Sequence, residues 1–509
     1  MASNHLGAPP ERLEQTRDVR QYQISPKFLF ACVAGYFLLQ LLSRVLVSDT
    51  ANLDEAEQLI LTQRLQWGYA SQPPLYTWLQ SFFFVIFGIN IFALALLKNA
   101  LLFTTYAFSY LTAKQITGER TSGLLALLGL LFLPQIVWES QRDLTHSVLT
   151  TTLAASTVFC SIKIFQTRKT LYYLLIGLCA AAGILSKYNY AVFFLALCVS
   201  ALSLRKIRPA VLDRRILFSV ALFLLLTLPH FHWVWSHHEA AFAQAEKLHT
   251  STAANFLTLH GKGLASLIIA IAGYVLPLAL IYLAFCKWKA RLFIPQTDTE
   301  KLFVRTMLLG LFFCLIAVFS FNARFKDRWM QPLLFLIPIY FSLRFWQALD
   351  ASKIRKFVIV SRGVALVVLV LLPLDTLSGS FRKKQTRLNA PYSALLKQLE
   401  PHFHPRLIVA ENRLVGGNLR LKFPNSDVLV PELARFPFAN DTPGLIVWGV
   451  TDKTNMSPQF ARFVSKVLQA DISQAKAGYL ESPYKYSNEQ LMRLGFVALP
   501  PATPQDWNR

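Results

Sequence analysis

The chain has 509 residues, of which 54% are hydrophobic and only 16% charged, whereas a soluble domain carries about a quarter charged residues. The apolar residues come in repeated blocks of bilayer-crossing length, which excludes a soluble enzyme and predicts a polytopic membrane protein. Most of the net charge of +23 lies in basic clusters between those blocks; that is the pattern of cytoplasmic loops facing anionic headgroups, not of a nucleic-acid surface.

Residues 1–26 form a polar arm with Arg12, Arg17 and Arg20, and Lys27 leads into the first apolar block. Positive charge there predicts a cytoplasmic N-terminus. No cleavable signal peptide is expected ahead of so late an apolar block. The first span, 28–47, then runs outward and delivers a loop over 48–90 to the far side. That loop begins with the adjacent acids Asp54 and Glu55, continues through a run of helix formers, and reaches Trp67-Gly68-Tyr69 and Gln72-Pro73-Pro74-Leu75-Tyr76. The next apolar run, 75–87, is only thirteen residues long. As a helix it reaches about 20 Å, short of the roughly 30 Å hydrocarbon core. If it crossed, Lys114 to Arg120 would fall outside. It is therefore expected to lie at the outer interface, with Tyr76 and Trp78 as interfacial aromatics.

The remaining spans alternate at about 91–112, 122–138, 147–165, 171–185, 188–204, 215–235, 263–285, 303–321, 329–346 and 357–374, eleven in all with the first. Lys114/Arg120, Arg168/Lys169, the group from Arg205 to Arg215, Lys287/Lys289/Arg291 and Lys353/Arg355/Lys356 then fall inside. The break at Ser186-Lys187-Tyr188 is kept, because fusing the two helices would put the five basic residues of the 205–215 loop outside. All six cysteines sit within apolar blocks, so no disulfide framework is expected. After about residue 375 the tail is polar and mixed. Leu407–Ala410 and Gly444–Gly449 read as strands, and 456–470 and 487–494 as helices. The expected divisions are an arm at 1–26, a transmembrane catalytic part at 27–374 and an extracytoplasmic α/β domain at 375–509.

Four groups on the outer side can carry chemistry. Asp54 and Glu55 suit either a helix start capped by Asn52 or a base that takes a proton from an attacking hydroxyl. Glu139, Asp143 and His146 form a second polar cluster, the last two being neighbours on a helix turn. His230, His232, His237, His238, His249 and His260 make a third, without a dedicated metal spacing. Lys187, Arg324, Lys326 and Arg328 form the fourth, at span ends where the positive-inside rule does not place them. Ionisable groups at that depth suit a phosphate headgroup.

The pattern Asp54-Glu55-Ala56, Trp67-Gly68-Tyr69 and Gln72-Pro73-Pro74-Leu75-Tyr76-Thr77-Trp78-Leu79 resembles the GT-C membrane glycosyltransferases. More narrowly it resembles the bacterial branch of the protein O-mannosyltransferase family, which includes aminoarabinose transferases acting on lipid A and galacturonic-acid transferases of rhizobial lipopolysaccharide. Leu185-Ser186-Lys187-Tyr188, Pro229-His230 with Trp233 and His237, Lys326-Asp327-Arg328-Trp329 with Pro332, and Gly416-Gly417-Asn418-Leu419-Arg420 with Phe423-Pro424 extend the likeness.

The resemblance implies an all-α GT-C membrane domain of about eleven spans with a small C-terminal α/β domain. It implies a bacterial inner-membrane enzyme that moves one sugar, with inversion, from a polyprenyl-phosphate carrier to a periplasmic lipid, glycan or protein acceptor. Carried over, Asp54, Glu55 and Asp143 are the catalytic acids, and Lys187, Arg324 and Arg328 bind the donor phosphate. Trp67, Tyr69, Gln72, Tyr76, His146, His237 and His238 contact substrate. Gln72 stands where the aminoarabinose branch offers Glu-Lys before the prolines, so no metal ligand set is implied; a divalent ion is the one cofactor left open. The competing class is a lipid or glycan transporter, which should show repeated halves or midplane breaks. A lipid-linked-oligosaccharide ligase of similar architecture would instead move a whole glycan.

Overall fold

Helices that cross a bilayer must satisfy their own backbone, and in the computed structural model the apolar blocks do fold as helices. The structure describes residues 24–239, 256–286, 294–321 and 324–499, apart from 380, 382–384, 400–403, 434–442, 451–455, 469–474 and 488. Most of the N-terminal arm, His249 and the basic loop Lys287/Lys289/Arg291 lie outside the described residues. In chain order the main helices are α1 Pro26–Val47, α2 Leu53–Leu61, α3 Leu75–Phe87, α4 Ile91–Thr117, α5 Arg120–Phe132, α6 Gln135–Arg142 and α7 His146–Thr167. They continue with α8 Thr170–Ser186, α9 Tyr190–Ser203, α10 Ile216–Ser236, α11 Phe256–Cys286, α12 Asp298–Phe321, α13 Leu336–Phe345 and α14 Ala351–Leu377.

Seven of the described helices are long and apolar enough to cross a membrane alone: α1, α4, α7, α10, α11, α12 and α14. The shorter apolar helices α8, α9 and α13 fall on three more of the expected spans. The eleventh, expected as one helix over 122–138, is two: α5 and α6 meet at 74°. Pro134 lies at the break, where its ring and missing N–H end the helical ladder. The expected 329–346 span is also interrupted, with a 3-10 turn at Asp327–Met330 and a short turn at Gln331–Leu334 before α13. The two breaks satisfy each other, since Gln331 Nε2 donates to the Gln135 carbonyl at 2.6 Å and to Ser140 Oγ at 3.1 Å.

Burial sorts these helices. α7 is the central post, and its Ser/Thr hydroxyls bond carbonyls one turn back and reach across to neighbours. Thr152 meets Thr105 at 2.9 Å, Thr157 meets Tyr190 at 2.6 Å and Thr150 meets Ser186 at 3.0 Å. Small hydroxyl residues allow such close, bonded packing where apolar burial gives no driving force. The outer helices expose large apolar side chains, such as Leu46, Leu225 and Ile269, as lipid-facing surface requires. α3 buries Tyr76, Thr77, Gln80 and Phe84 and exposes Phe82, Val85 and Ile86. One buried and one apolar exposed face suit a short helix set into the interface.

The tail forms a five-stranded mixed sheet of β1 Leu407–Ala410, β2 Asp427–Leu429, β3 Gly444–Val450, β4 Gly478–Pro483 and β5 Leu491–Leu499, in the order β2-β1-β3-β5-β4. β1 pairs in parallel with both β2 and β3, and β5 runs antiparallel between β3 and β4. α15 Arg413–Lys422 crosses from β1 to β2, and α16 Pro458–Leu468 covers the other face through Phe460, Phe463 and Val464. Of the helix expected over 487–494, the part from Leu491 is instead the start of β5, and residue 488 lies outside the described residues. The Glu-Gln-Leu-Met-Arg run favours helix locally, but pairing with β4 from Leu491 and with β3 from Arg493 outweighs a few tenths of a kcal/mol of propensity per residue.

α15 is what places the acidic loop. Gly417 lies against α2 so closely that a Cβ there would stand 2.4 Å from the Ala56 carbonyl oxygen. Asn418 accepts from Ala51 N at 2.7 Å and donates to Ala51 O at 3.2 Å. Arg420 donates to the Leu59 carbonyl, and Gln63 bonds both backbone groups of Val428. α2 is thus fastened to the sheet unit along its length.

Candidate active site

α2 starts on a capping box: the Asn52 side chain caps the helix, and Glu55 Oε2 accepts from Asn52 N at 2.9 Å. Adjacent helical residues diverge by about 100°, whereas residues three apart share a face. Asp54 and Glu55 therefore part company. Glu55 turns into the protein, 1% exposed, and pairs with Arg44 at 2.6 Å and Lys98 at 3.2 Å. Burial alone would raise its carboxyl, but the Arg44 and Lys98 charges overcome this and hold it down at about 2. Read from the sequence as a catalytic acid, Glu55 is committed to clamping α1, α2 and α4 together. Glu55→Gln should strand two buried cations, a change that typically costs about 3–5 kcal/mol; a thermal melt of the purified protein checks it.

Asp54 turns the other way and shares its face with Glu57, which the sequence reading passed over. The i, i+3 spacing was the available signal. Burial and the Glu57 charge push the Asp54 carboxyl up, while Arg328, Lys187 and Arg413 pull it down. Glu57 is buried and pairs with Arg413 at 2.7 Å. α15 thus neutralises the second acid and leaves Asp54 under the charges of Arg328, Lys187 and, more weakly, Arg413.

Asp143 joins from the turn between α6 and α7, accepting from Asp54 N at 3.0 Å through Oδ1 and pairing with Arg387 at 3.4 Å through Oδ2. Burial and the Asp54 charge raise it to about 6. The same turn is tied to α2 by Asn52 Nδ2, which donates to the Arg142 carbonyl at 3.0 Å.

Lys187 sits in the break between α8 and α9, its backbone extended and its ammonium donating to Ser147 Oγ at 2.6 Å. Burial and the Arg328 charge draw it down to about 8, with Lys326 acting the same way. Arg324, expected alongside Arg328, is an exposed residue, whereas Arg328 is half-buried.

The remaining expected substrate contacts divide. Tyr76 is fully buried and its hydroxyl has no partner among the described residues. Its ring packs 5.3 Å from that of His146. His146 is a satisfied core histidine: Nε2 lies 3.1 Å from Gln58 Nε2 and Nδ1 lies 3.1 Å from the Ser186 carbonyl. With Gln58 Oε1 accepting from Thr77, the amide nitrogen donates to His146, so both ring nitrogens are spent.

Tyr69 and Gln72 pair through their backbones to close the turn before α3, and the Tyr69 hydroxyl is held by Gln66 N and the Arg64 carbonyl. Trp67 is half exposed, edge-on to Trp78 at 5.3 Å. His237 and His238 are exposed at the end of α10, where His237 stacks on Trp233 at 4.8 Å. No bond joins either to the acids or cations above among the described residues. The histidine that reaches the loop is His230, with Nδ1 at 2.6 Å from the Trp67 carbonyl and Nε2 at 3.2 Å from the Tyr188 hydroxyl. Trp233, one turn on, fills the space over Gly68.

Among the described residues no three His, Cys, Asp or Glu side chains gather as a metal ion would require. What is gathered is an acid within the field of nearby cations, with a second acid bonded to its backbone. That arrangement can accept a proton on one side and steady a leaving anion on the other.

A family model described as dolichyl-phosphate-mannose-protein mannosyltransferase matches residues 71–233. The chain is 33% identical over 482 residues to the lipopolysaccharide core galacturonosyltransferase RgtB of Rhizobium johnstonii, covering 92% of this chain and 97% of that protein. It is 30% identical over 489 residues, with the same coverage, to the core galacturonosyltransferase RgtA of that organism. Among solved structures, ArnT from Cupriavidus metallidurans bound to undecaprenyl phosphate has a similar fold, with a TM-score of 0.60 at 12% identity over 92% of this chain and 97% of that one.

Proposed function

This chain belongs to the GT-C membrane glycosyltransferases, in the branch that holds the rhizobial core galacturonosyltransferases and ArnT, and from that we propose what it transfers. The donor is a single hexuronic acid, galacturonic acid by kinship with RgtB and RgtA, carried on a polyprenyl phosphate. The acceptor is a lipopolysaccharide core sugar, and the reaction takes place at the periplasmic face of a bacterial inner membrane. The arm 1–26, transmembrane part 27–374 and periplasmic domain 375–509 are the divisions that go with this reading.

The observation that carries the proposal is Asp54, its backbone N–H held by Asp143 at 3.0 Å, within reach of the Lys187 and Arg328 charges. The acceptor hydroxyl attacks the anomeric carbon while Asp54 takes its proton. The bond from that carbon to the phosphate oxygen breaks with inversion, and its electron pair leaves on the phosphate. Lys187 and Arg328 stabilise that developing charge, so they act most strongly in the transition state. Asp143 fixes the start of α2 and adds negative charge beside Asp54. A transporter would use charges without such an acid and phosphate pairing; reconstituted vesicles that move labelled carrier without transfer would select it.

Mass spectrometry of lipopolysaccharide with and without the gene tests the assignment. Loss of one hexuronic acid mass from the core supports it, and an unchanged core overturns it. The pH profile should be bell-shaped. Asp143, raised from its usual range to about 6, is ionised above that pH and neutral below it. Lys187, lowered to about 8, keeps its charge below that pH and loses it above. Transfer should therefore fall on the acid side near pH 6 and on the alkaline side near pH 8, read from initial rates in proteoliposomes.

A further inference from the structure

A cavity of about 450 Å³ opens between α1, α14 and the segment 385–388, within the range of small-ligand sites. Asp143 forms part of its wall, whereas neither Lys187 nor Arg328 does. The cavity therefore reaches the reaction centre from a side separate from the phosphate-facing cations. Its wall holds Arg142 and Arg387, each about half exposed and each engaged through one nitrogen, with Glu139 at 3.0 Å and Asp143 at 3.4 Å. A guanidinium offers five donors in a planar fork, so both retain capacity for a carboxylate or phosphate.

Deeper in the same wall, Arg44 Nε and both amide atoms of Gln385 are buried with no partner among the described residues. Buried polar atoms without partners are rare and costly in native proteins. Val47, Leu372 and Pro373 supply an apolar side, suited to the C–H face of a sugar ring. Asp375 is the other acid of the wall, so it is the forks of Arg142 and Arg387, and not an overall positive charge, that select an anion.

We propose that this cavity is the acceptor subsite and that it recognises a saccharide bearing an anionic group, carboxylate or phosphate, through Arg142 and Arg387. The inference rests on the transferase reading for the word acceptor. It adds that the acceptor is acidic and that its anion is read beside Asp143. Because Arg387 already pairs with Asp143, an arriving anion draws that guanidinium toward itself and frees one Asp143 oxygen to face the acceptor.

The test uses the full chain in proteoliposomes with a polyprenyl-phosphate-linked galacturonic acid donor. One short saccharide acceptor is supplied in three forms: carboxylated, phosphorylated, and with the carboxyl reduced to an alcohol. In the wild type, at least one anionic form should show an acceptor KM about tenfold or more below that of the neutral form. Whichever form does so names the source of the anion. Arg142→Gln and Arg387→Gln should erase that advantage while leaving the donor KM within about twofold, and Arg387→Lys should restore part of it. An acceptor KM indifferent to charge, or unmoved in both glutamine variants, overturns the inference.

Equilibrium binding of the same three saccharides separates the two readings. If no sugar is transferred from the donor, the transferase reading fails. Anion-selective binding that is lost in Arg387→Gln still supports the site, and charge-blind binding overturns it.

Discussion

Asp54→Asn is expected to lower sugar transfer by about 10²- to 10⁴-fold, the usual contribution of a positioned general base. The protein should still fold. Asparagine keeps the shape, and the Asp54 backbone N–H that donates to Asp143 is untouched. Burial already pushes the Asp54 carboxyl toward its neutral form, so removing the charge should cost little stability. Sugar incorporation in proteoliposomes, read beside monodisperse elution in detergent, decides the matter. Activity within tenfold of wild type in a well-behaved Asp54→Asn sample would remove Asp54 from the mechanism. Glu57→Gln offers a contrast, because Glu57 is already paired with Arg413 and should lose much less rate.

The second large effect belongs to the cations. Lys187→Gln and Arg328→Gln should each reduce kcat/KM for the donor by about 10²- to 10³-fold, as expected where a preorganised charge meets a leaving anion. The two act on one group, so their losses should not add. Lys187→Arg is the more telling variant. A guanidinium stays charged at any working pH, so partial activity should return and the alkaline limb near pH 8 should vanish. If Lys187→Arg keeps that limb unchanged, the limb belongs to another group and Lys187 does not titrate in the reaction.

Much of the architecture was legible because bilayer physics writes itself into composition. Helix length and the positive-inside rule placed the expected spans, and the Ser186-Lys187-Tyr188 break was kept on charge alone; the structure has a break there too. What failed was local. Pro134 splits a span that hydropathy read as whole, because hydropathy averages over a residue that removes a hydrogen-bond donor. The strand at Leu491–Leu499 was hidden by helix-forming residues at its start, which pair with β4, while β3, more than forty positions away, pairs from Arg493 on.

At the site, the adjacency of Asp54 and Glu55 drew attention away from helical geometry. Glu57, three residues on, shares the Asp54 face, while Glu55 meets Arg44 and Lys98 inside. Arg413, Arg387 and Gln385 could not have been found by spacing, since the fold brings them hundreds of residues along the chain to α2 and Asp143. His146 shows the reverse case. It stands one turn from Asp143, yet Gln58 and the Ser186 carbonyl occupy both its nitrogens.

The fastening of α2 to α15 constrains how relatives of this protein can exchange specificity. Gly417 admits no side chain against Ala56, Asn418 bonds both backbone groups of Ala51, and Arg413 meets Glu57. A hybrid that takes its membrane part from one relative and its tail from another has to reproduce all three contacts to hold α2 in place. Segments 48–64 and 407–430 therefore behave as one inheritable cassette, although some 340 residues separate them. Chimeras built by swapping both together should stay active where single swaps do not, and their natural variation should be traced as a pair.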